Sequence, residues 1–429
     1  MGLKSIEPGA SGRRAGRTCH KLIAMKQRTF FAALVVLGVS AAAISQPATP
    51  ESKPDAPAPA YATQTVCEGL EVPWAIAFLP GDRGDMLITE RPGRVRLYKD
   101  GRLVPAPVLT VPNVMARTGM EVGLMGLCLH PDFSKNGWVY LAYGHTEGDI
   151  RIARYKYSPS KAGAKPGEID PGEFTEETIL LRGIAAGPNH AGCRVKFGPD
   201  GKLYITTGEM FKRALAQDMT SLNGKILRIN DDGSIPSDNP FVGDEFKAKG
   251  TRPEIWSLGH RNPQGLAWQS GTGVLFETEH GPSGEVGSGA SGQGGDELNI
   301  ITKGQNYGWP VIHHDQTKEG MEAPLTQWSP SVAPASVMVY SGSRFPAWKD
   351  SVFVGALGGL GGQKKWGIIR LTVGNGKVAS QEVLATGFGR IREVTEGPDG
   401  AIYFTTSNRD GRAQPKPGDD RIIRLTPAS

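Results

Sequence analysis

From about residue 74 onward the chain returns six times to one pattern, and that repeat constrains its fold more than any other feature. A turn rich in Pro, Asp or Gly leads into a strand of aromatic and β-branched residues, and a second strand follows. "GDMLITE" (84–90) precedes "GRVRLY" (93–98), "NGWVYLAY" (136–143) precedes "IRIARYKY" (150–157), and "PDGKLYITTGE" (199–209) precedes "GKILRIN" (224–230). Likewise "TGVLFETE" (272–279) precedes "ELNIIT" (297–302), "DSVFVGAL" (350–357) precedes "GIIRLT" (367–372), and "PDGAIYFTT" (398–406) precedes "RIIRLT" (421–426). Successive copies lie roughly 50 to 80 residues apart, as propeller blades with loop insertions do. One copy cannot bury both faces of its sheet, whereas six packed radially can, with only short edges left open. The reading is all-β, a six-bladed β-propeller; a large double-sheet sandwich is the alternative, and sandwiches seldom repeat one strand-pair signature so often. Abundant glycine (58) and proline (32) in 429 residues agree with many turns and few long helices.

The formal charge of +5 does not point to nucleic acid, because it is concentrated at one end. Before residue 46, Lys4, Arg13, Arg14, Arg17, Lys21, Lys26 and Arg28 face only Glu7, so the remainder is near neutral. This basic start precedes "FFAALVVLGVSAAA", an apolar run too short to cross a bilayer comfortably and ending in small residues, as an export signal does. Residues 1–45 are therefore read as a signal peptide with an extension upstream of Met25. Residues 46–65 are read as a Pro/Ala-rich linker and 66–429 as the propeller. The expected location is periplasmic or secreted, with no stable membrane span once the signal is removed. Cys67, Cys128 and Cys193 remain, allowing one disulfide at most and no cysteine metal site.

A ring brings equivalent loops of different repeats to one axis, so polar residues just outside the strands carry the functional reading. Four clusters qualify: Asn189-His190, "GHRNPQG" (259–265) with Arg261 and Asn262, "EHGP" (279–282), and "GRIRE" (389–393) with Arg390 and Arg392. Each also has an ordinary explanation. A histidine is commonly a surface hydrogen-bonding residue, Arg261-Asn262 before Pro263 suits a turn, and arginines form exposed ion pairs worth little.

"NHAGCRVKFGPDGKLYITTGE", "GHRNPQGLAW", "EHGP", "GGDELNIITKGQNYGWP" and "GFGRIREVTEGPDG" together resemble the soluble quinoprotein aldose sugar dehydrogenases of the glucose/sorbosone dehydrogenase family. The resemblance runs from about Val72 to the C-terminus and implies a six-bladed propeller that binds pyrroloquinoline quinone (PQQ) and Ca²⁺ and oxidises the C1 hydroxyl of an aldose to a lactone. It further implies that His190 is the general base, that Arg261 stabilises charge developing on the quinone oxygen, and that Asn262 hydrogen-bonds the same cofactor edge. Arg390 and Arg392 match the pair that binds the PQQ carboxylates, and either Lys364 or Lys365 supplies a further cation. Backbone carbonyls of Gly281 and Pro282 would ligate Ca²⁺, and Asp296, Glu297 and the region of Tyr307 resemble a second Ca²⁺ site. Asn189 stands where the glucose-oxidising branch has aspartate, as in the aldose-dehydrogenase branch.

Two other readings share these residues: a Ca²⁺-dependent propeller hydrolase of the lactonase kind, and a binding propeller without catalysis. The chain has no Cys-x-x-Cys-His for haem attachment, so a separate electron acceptor is expected alongside the aldose sugar substrate, and no nucleic-acid partner.

Overall fold

The computed structural model describes residues 59–428 apart from 82, 161–168, 283–293, 343 and 359–366. The signal reading, most of the linker and both Lys364 and Lys365 lie outside the described residues. The described strands form six antiparallel sheets in a ring, a six-bladed propeller, with only short helical turns between them.

Each repeat read from the sequence is the central strand pair of one blade. The pairs are Met86–Glu90 with Arg94–Lys99, Trp138–His145 with Asp149–Ser158, and Leu203–Thr207 with Lys225–Ile229. The other three are Leu275–Glu279 with Asp296–Ile301, Val352–Ala356 with Ile368–Gly374, and Ile402–Thr406 with Ile422–Pro427. These strands lie between neighbouring blades and are covered on both faces, so every residue of Leu203–Thr207, Val352–Ala356 and Ile402–Thr406 is buried. That burial explains their near-continuous apolar and β-branched character. Their threonines stitch the ring together. Thr89 Oγ1 donates to Met125 O (2.7 Å), Thr278 Oγ1 to Ala335 O (2.8 Å) and Thr405 Oγ1 to Pro73 O (3.3 Å), each in the next blade. A buried hydroxyl without such a partner would cost about 1–3 kcal/mol.

Ahead of each pair runs an innermost strand: Pro73–Phe78, Leu124–Leu129, Gly192–Phe197, Pro263–Trp268, Pro334–Val339 and Ile391–Glu396. Neighbouring innermost strands touch all around the ring. In every blade the register against the second strand shifts within the first few residues of the innermost strand. Bulges bend a strand and re-aim its side chains. Six of them at one rim open the end of the channel where the innermost strands begin and the second strands finish.

The linker boundary needs correction. Tyr61–Cys67 is a strand, paired antiparallel with Ile422–Pro427 from Tyr61↔Pro427 to Cys67↔Ile422. The last blade thus takes its outer strand from the beginning of the propeller and its other three from the end. Cys67, Cys128 and Cys193 are all free thiols. Among the described residues no helix is long and apolar enough to cross a membrane.

Candidate active site

The bulged rim encloses a cavity of about 400 Å³ lined by His190, Arg261, His280, Arg390 and Arg392, residues from all four sequence clusters. His190 precedes the innermost strand of the third blade, in a left-handed conformation (φ 54°) that histidine tolerates better than most side chains. Its backbone N–H donates to Glu121 Oε2 (2.9 Å), and its ring Nδ1 lies 2.7 Å from Glu209 Oε1. An ionised carboxylate only accepts, so this contact puts the imidazole proton on Nδ1 and leaves Nε2 as the basic nitrogen. The close approach depends on Gly208, where a Cβ would lie 2.1 Å from the His190 carbonyl oxygen.

Arg261 is anchored through its backbone N–H to Glu279 Oε2 (2.6 Å) and through Nη1 to the His280 carbonyl (2.9 Å), with its guanidinium 5.5 Å from the Trp309 ring centroid. Arg390 donates from Nε to Asp410 Oδ2 (2.7 Å) and from Nη1 to the Leu357 carbonyl. Arg392 donates from Nη1 to Gln264 Oε1 (3.0 Å), while its buried Nε has no hydrogen-bond partner. Burial pulls the Arg392 guanidinium down to about 9, and neighbouring Arg390 and Arg91 push the same way against the attraction of Asp410 and Glu121. An anion in the cavity would meet this unsatisfied donor. His280 is likewise driven down to about 3 by burial, so its imidazole is neutral, and its buried Nε2 is also without a partner. The arginines on this wall therefore fit an anionic group.

Asn262 takes another place. Fully buried, it donates from Nδ2 to Glu121 Oε2 (3.1 Å) and accepts at Oδ1 from Gly192 N–H (3.2 Å) and Gln264 Nε2 (3.0 Å), bracing three blades behind the cavity. Glu121 is the hub it holds. Burial opposes ionisation of this carboxyl, but His280, His190, Arg412 and the His190 N–H outweigh it and hold it down to about 2.

Gly281 and Pro282 are buried at the rim. A Cβ at Gly281 would lie 1.9 Å from the Gly295 carbonyl oxygen, so only glycine passes there. The Pro282 carbonyl accepts Gly294 N–H (3.3 Å), which leaves one lone pair, and carbonyl oxygens are donors a hard cation takes. Asp296, Glu297 and Tyr307 do not converge. The Asp296 carboxylate is filled by Gly281 N–H (2.9 Å), Val332 N–H (2.8 Å), Ala333 N–H (2.7 Å) and Ser331 Oγ (3.3 Å) beside the cavity. Glu297 is the next residue on the same strand and, by the two-residue alternation, faces the other way. There Asn299 Nδ2 is shared among Glu277 Oε2 (3.0 Å), Glu279 Oε1 (3.3 Å) and Glu297 Oε2 (3.2 Å), while Glu277 Oε1 and Asn299 Oδ1 are buried without partners. Burial and then the neighbouring carboxylates push Glu277 and Glu297 well above the usual carboxylate range. The Tyr307 hydroxyl is occupied by Ile300 O (2.6 Å) and Thr302 N–H (2.8 Å), and its ring stacks on His260 at 4.9 Å.

A six-bladed propeller whose channel mouth joins a carboxylate-held histidine to several arginines has the acid–base and cationic groups that an enzyme on this ring would use. The particular family is clear from comparison: the chain belongs to the glucose/sorbosone dehydrogenase family, whose sequence profile matches residues 70–418. It is 36% identical over 362 residues to aldose sugar dehydrogenase YliI of Escherichia coli K12, covering 80% of this chain and 89% of that protein. Among solved structures, the soluble aldose sugar dehydrogenase of Escherichia coli in its apo form is 31% identical with a TM-score of 0.69, covering 86% of this chain and 100% of that one. The PQQ-bound aldose sugar dehydrogenase of Streptomyces coelicolor is 33% identical with a TM-score of 0.70, over 86% of this chain and 99% of that one. The chain is thus an oxidoreductase of the sugar dehydrogenase type.

Proposed function

We propose that this protein is an exported, PQQ- and Ca²⁺-dependent dehydrogenase that oxidises the C1 hydroxyl of aldoses to the lactone and passes the electrons to a separate carrier. The observation that carries the reading is a single cavity in which the His190–Glu209 pair adjoins Arg261, Arg390 and Arg392. PQQ, when bound, supplies a two-electron acceptor that bears three carboxylates. Arg390 and Arg392 would hold carboxylates, for which the guanidinium fork is better shaped than an ammonium group. Lys364 and Lys365 both remain candidates for a further contact.

His190 receives the C1 hydroxyl proton at Nε2, and Glu209 stabilises the imidazolium that results. Arg261 sets positive charge where negative charge grows as the C1 hydrogen departs with its electron pair. Asn262 acts one step back, fixing Glu121 and through it the His190 backbone. Carbonyls of Gly281 and Pro282 would hold Ca²⁺, which would supply a Lewis acid beside the cofactor. A second Ca²⁺ position is proposed at Glu297 together with Glu277 and Glu279, in place of the trio Asp296, Glu297 and Tyr307. A lactonase-type hydrolase would seat its metal on side-chain carboxylates in the cavity, whereas the carboxylates that line this one, Glu121, Asp296 and Asp410, are each taken up by hydrogen bonds from neighbouring residues and stand beside five arginines.

The test is dye-linked oxidation of a panel of aldoses by purified apoprotein, with and without PQQ plus Ca²⁺, while cofactor absorbance is followed. Sugar-dependent turnover that requires both additions is expected; absence of PQQ binding would overturn the reading.

A further inference from the structure

Phe211 is the most exposed large apolar side chain among the described residues, at 59%, and it lines the same cavity. Its ring centroid lies 3.8 Å from that of His190, tilted by 37°. The backbone that presents it is unusual: Met210 and Phe211 are consecutive non-glycine residues in the left-handed region, at φ 57° and 59°. Each such residue is unfavourable by about 1–2 kcal/mol and persists only where its surroundings impose it. What imposes it here is Glu209. Its carboxylate holds His190, its N–H donates to Arg261 O (3.0 Å), and its carbonyl accepts Lys212 N–H (2.9 Å) to close the turn that carries Phe211. The same residue thus fixes the base and an uncovered aromatic face beside it. The cavity carries five arginines beside the apolar Met120, Ala333 and Leu357, and a large apolar ring left 59% exposed at its wall gains little from folding.

We propose that Phe211 is the platform on which the pyranose ring of the substrate stacks, and that it sets specificity among aldose epimers. The proposal rests on the oxidation of aldoses at C1 argued above. In that reaction the C1 hydrogen leaves with two electrons to the quinone, the hydroxyl proton passes to His190, and the sugar becomes the lactone. The C1–H must face inward, toward the buried arginines, so the outward-lying Phe211 meets the opposite face of the ring. In a β-glucopyranose C1–H, C3–H and C5–H point to one face, and C2–H and C4–H to the other. The platform therefore contacts C2–H and C4–H. A sugar with an axial hydroxyl at C2 (mannose) or C4 (galactose) would press that hydroxyl onto an apolar ring, whereas the C3 epimer (allose) places its axial hydroxyl on the inner face.

The experiment compares wild type with Phe211→Ala, Phe211→Leu and Phe211→Tyr. Three quantities are read: PQQ affinity, steady-state constants for the four aldoses, and calorimetric binding of 1,5-anhydro-D-glucitol, which lacks the C1 hydroxyl and cannot be oxidised. Expected for the Ala and Leu variants are unchanged PQQ affinity, weaker anhydroglucitol binding and a higher KM for glucose by about three- to tenfold. Their preference for glucose over mannose and galactose should shrink while that over allose stands, and the Tyr variant should behave as wild type. Unchanged anhydroglucitol affinity and KM would overturn the platform, as would a loss confined to kcat, which would make Phe211 a packing residue for His190. Equal relaxation toward allose would overturn the assigned ring face. Failure of the wild type itself to bind PQQ or oxidise any aldose is a separate result that removes the underlying reaction, and the platform with it.

Discussion

Glu209 Oε1 lies 2.7 Å from His190 Nδ1, and the two side chains reach each other from neighbouring strands of one blade with almost no exposure to solvent. The contact orients a histidine that would be unremarkable by itself, as the proposed reaction requires of its base. The consequence is testable on the partner as well as on the base.

Glu209→Gln keeps the shape of the pair but offers an amide that can donate to Nδ1 and move the proton to Nε2. Turnover should fall by about 10²- to 10⁴-fold, comparable to His190→Ala, because both remove the positioned base. PQQ affinity should be retained in both variants. Single-turnover kinetics with preloaded enzyme would check this, and near wild-type rates for either variant would exclude the pair from the chemistry.

Arg392 is a buried cation with an unsatisfied Nε, so under the proposed function it would be a liability in the apoprotein that an anionic cofactor would relieve. Arg392→Met should leave the apoprotein as stable as wild type or more so, while weakening PQQ binding by tenfold or more, roughly the loss of one charge-assisted contact. Thermal melts of the apoprotein and a PQQ titration separate the two effects. A large drop in apoprotein Tm would contradict this account.

The carboxylates of Glu277, Glu279 and Glu297 converge on Asn299 Nδ2, and the Arg261 backbone N–H donates to the other oxygen of Glu279. Ca²⁺ added to apoprotein should raise Tm in a saturable way, since a ligand of the folded state stabilises by mass action. Glu297→Gln should weaken that rise, and Mg²⁺ should substitute poorly because it demands a smaller, regular shell. Differential scanning fluorimetry with both ions and both proteins gives the answer.

Asp420 shows the pH dependence of the ring closure. Burial raises its carboxyl from 3.8 to about 6, against the backbone N–H groups of Asn408, Arg409 and Val72 that favour the charge. The folded value lies above the unfolded one, so between those pH values the folded chain holds a proton that the unfolded chain has lost. Its stabilising contribution is complete below about pH 4 and is lost as pH rises through 6. The stability difference between wild type and Asp420→Asn should therefore be most favourable to wild type near pH 4 and decline toward pH 6 and above. Denaturant melts across that range would show it, and a flat difference would refute it.

Much of the ring is legible in the sequence, for a physical reason. The second strand of each blade is covered on both sides, so the need for apolar and β-branched residues leaves an unbroken signature, as in "KLYITT" and "AIYFTT". The innermost strands carry a bulge each, and the bulge erases the two-residue period that would mark them. The first five residues of the strand Tyr61–Cys67 read as linker because their side chains are mostly exposed, which leaves no apolar alternation to notice. At the site, His190, Arg261, Arg390 and Arg392 are legible because each sits beside a glycine-bearing turn next to a repeat. Glu121 and Glu209 are not, since a glutamate near a strand end is common and only the fold brings these two to His190. Asp296 and Glu297 teach the opposite lesson. Strand alternation, visible in "DELNII", already separates them, and the structure divides them accordingly.

The hydrogen bonds between Tyr61–Cys67 and Ile422–Pro427 join the earliest propeller strand to be synthesised with the last. No length of nascent chain short of nearly the whole can seal the circle, so the polypeptide stays open until its final strand is released. If export threads the chain through a membrane in extended form, that ordering postpones locking to the far side, where a fragment cut short at any blade would remain an unclosed arc.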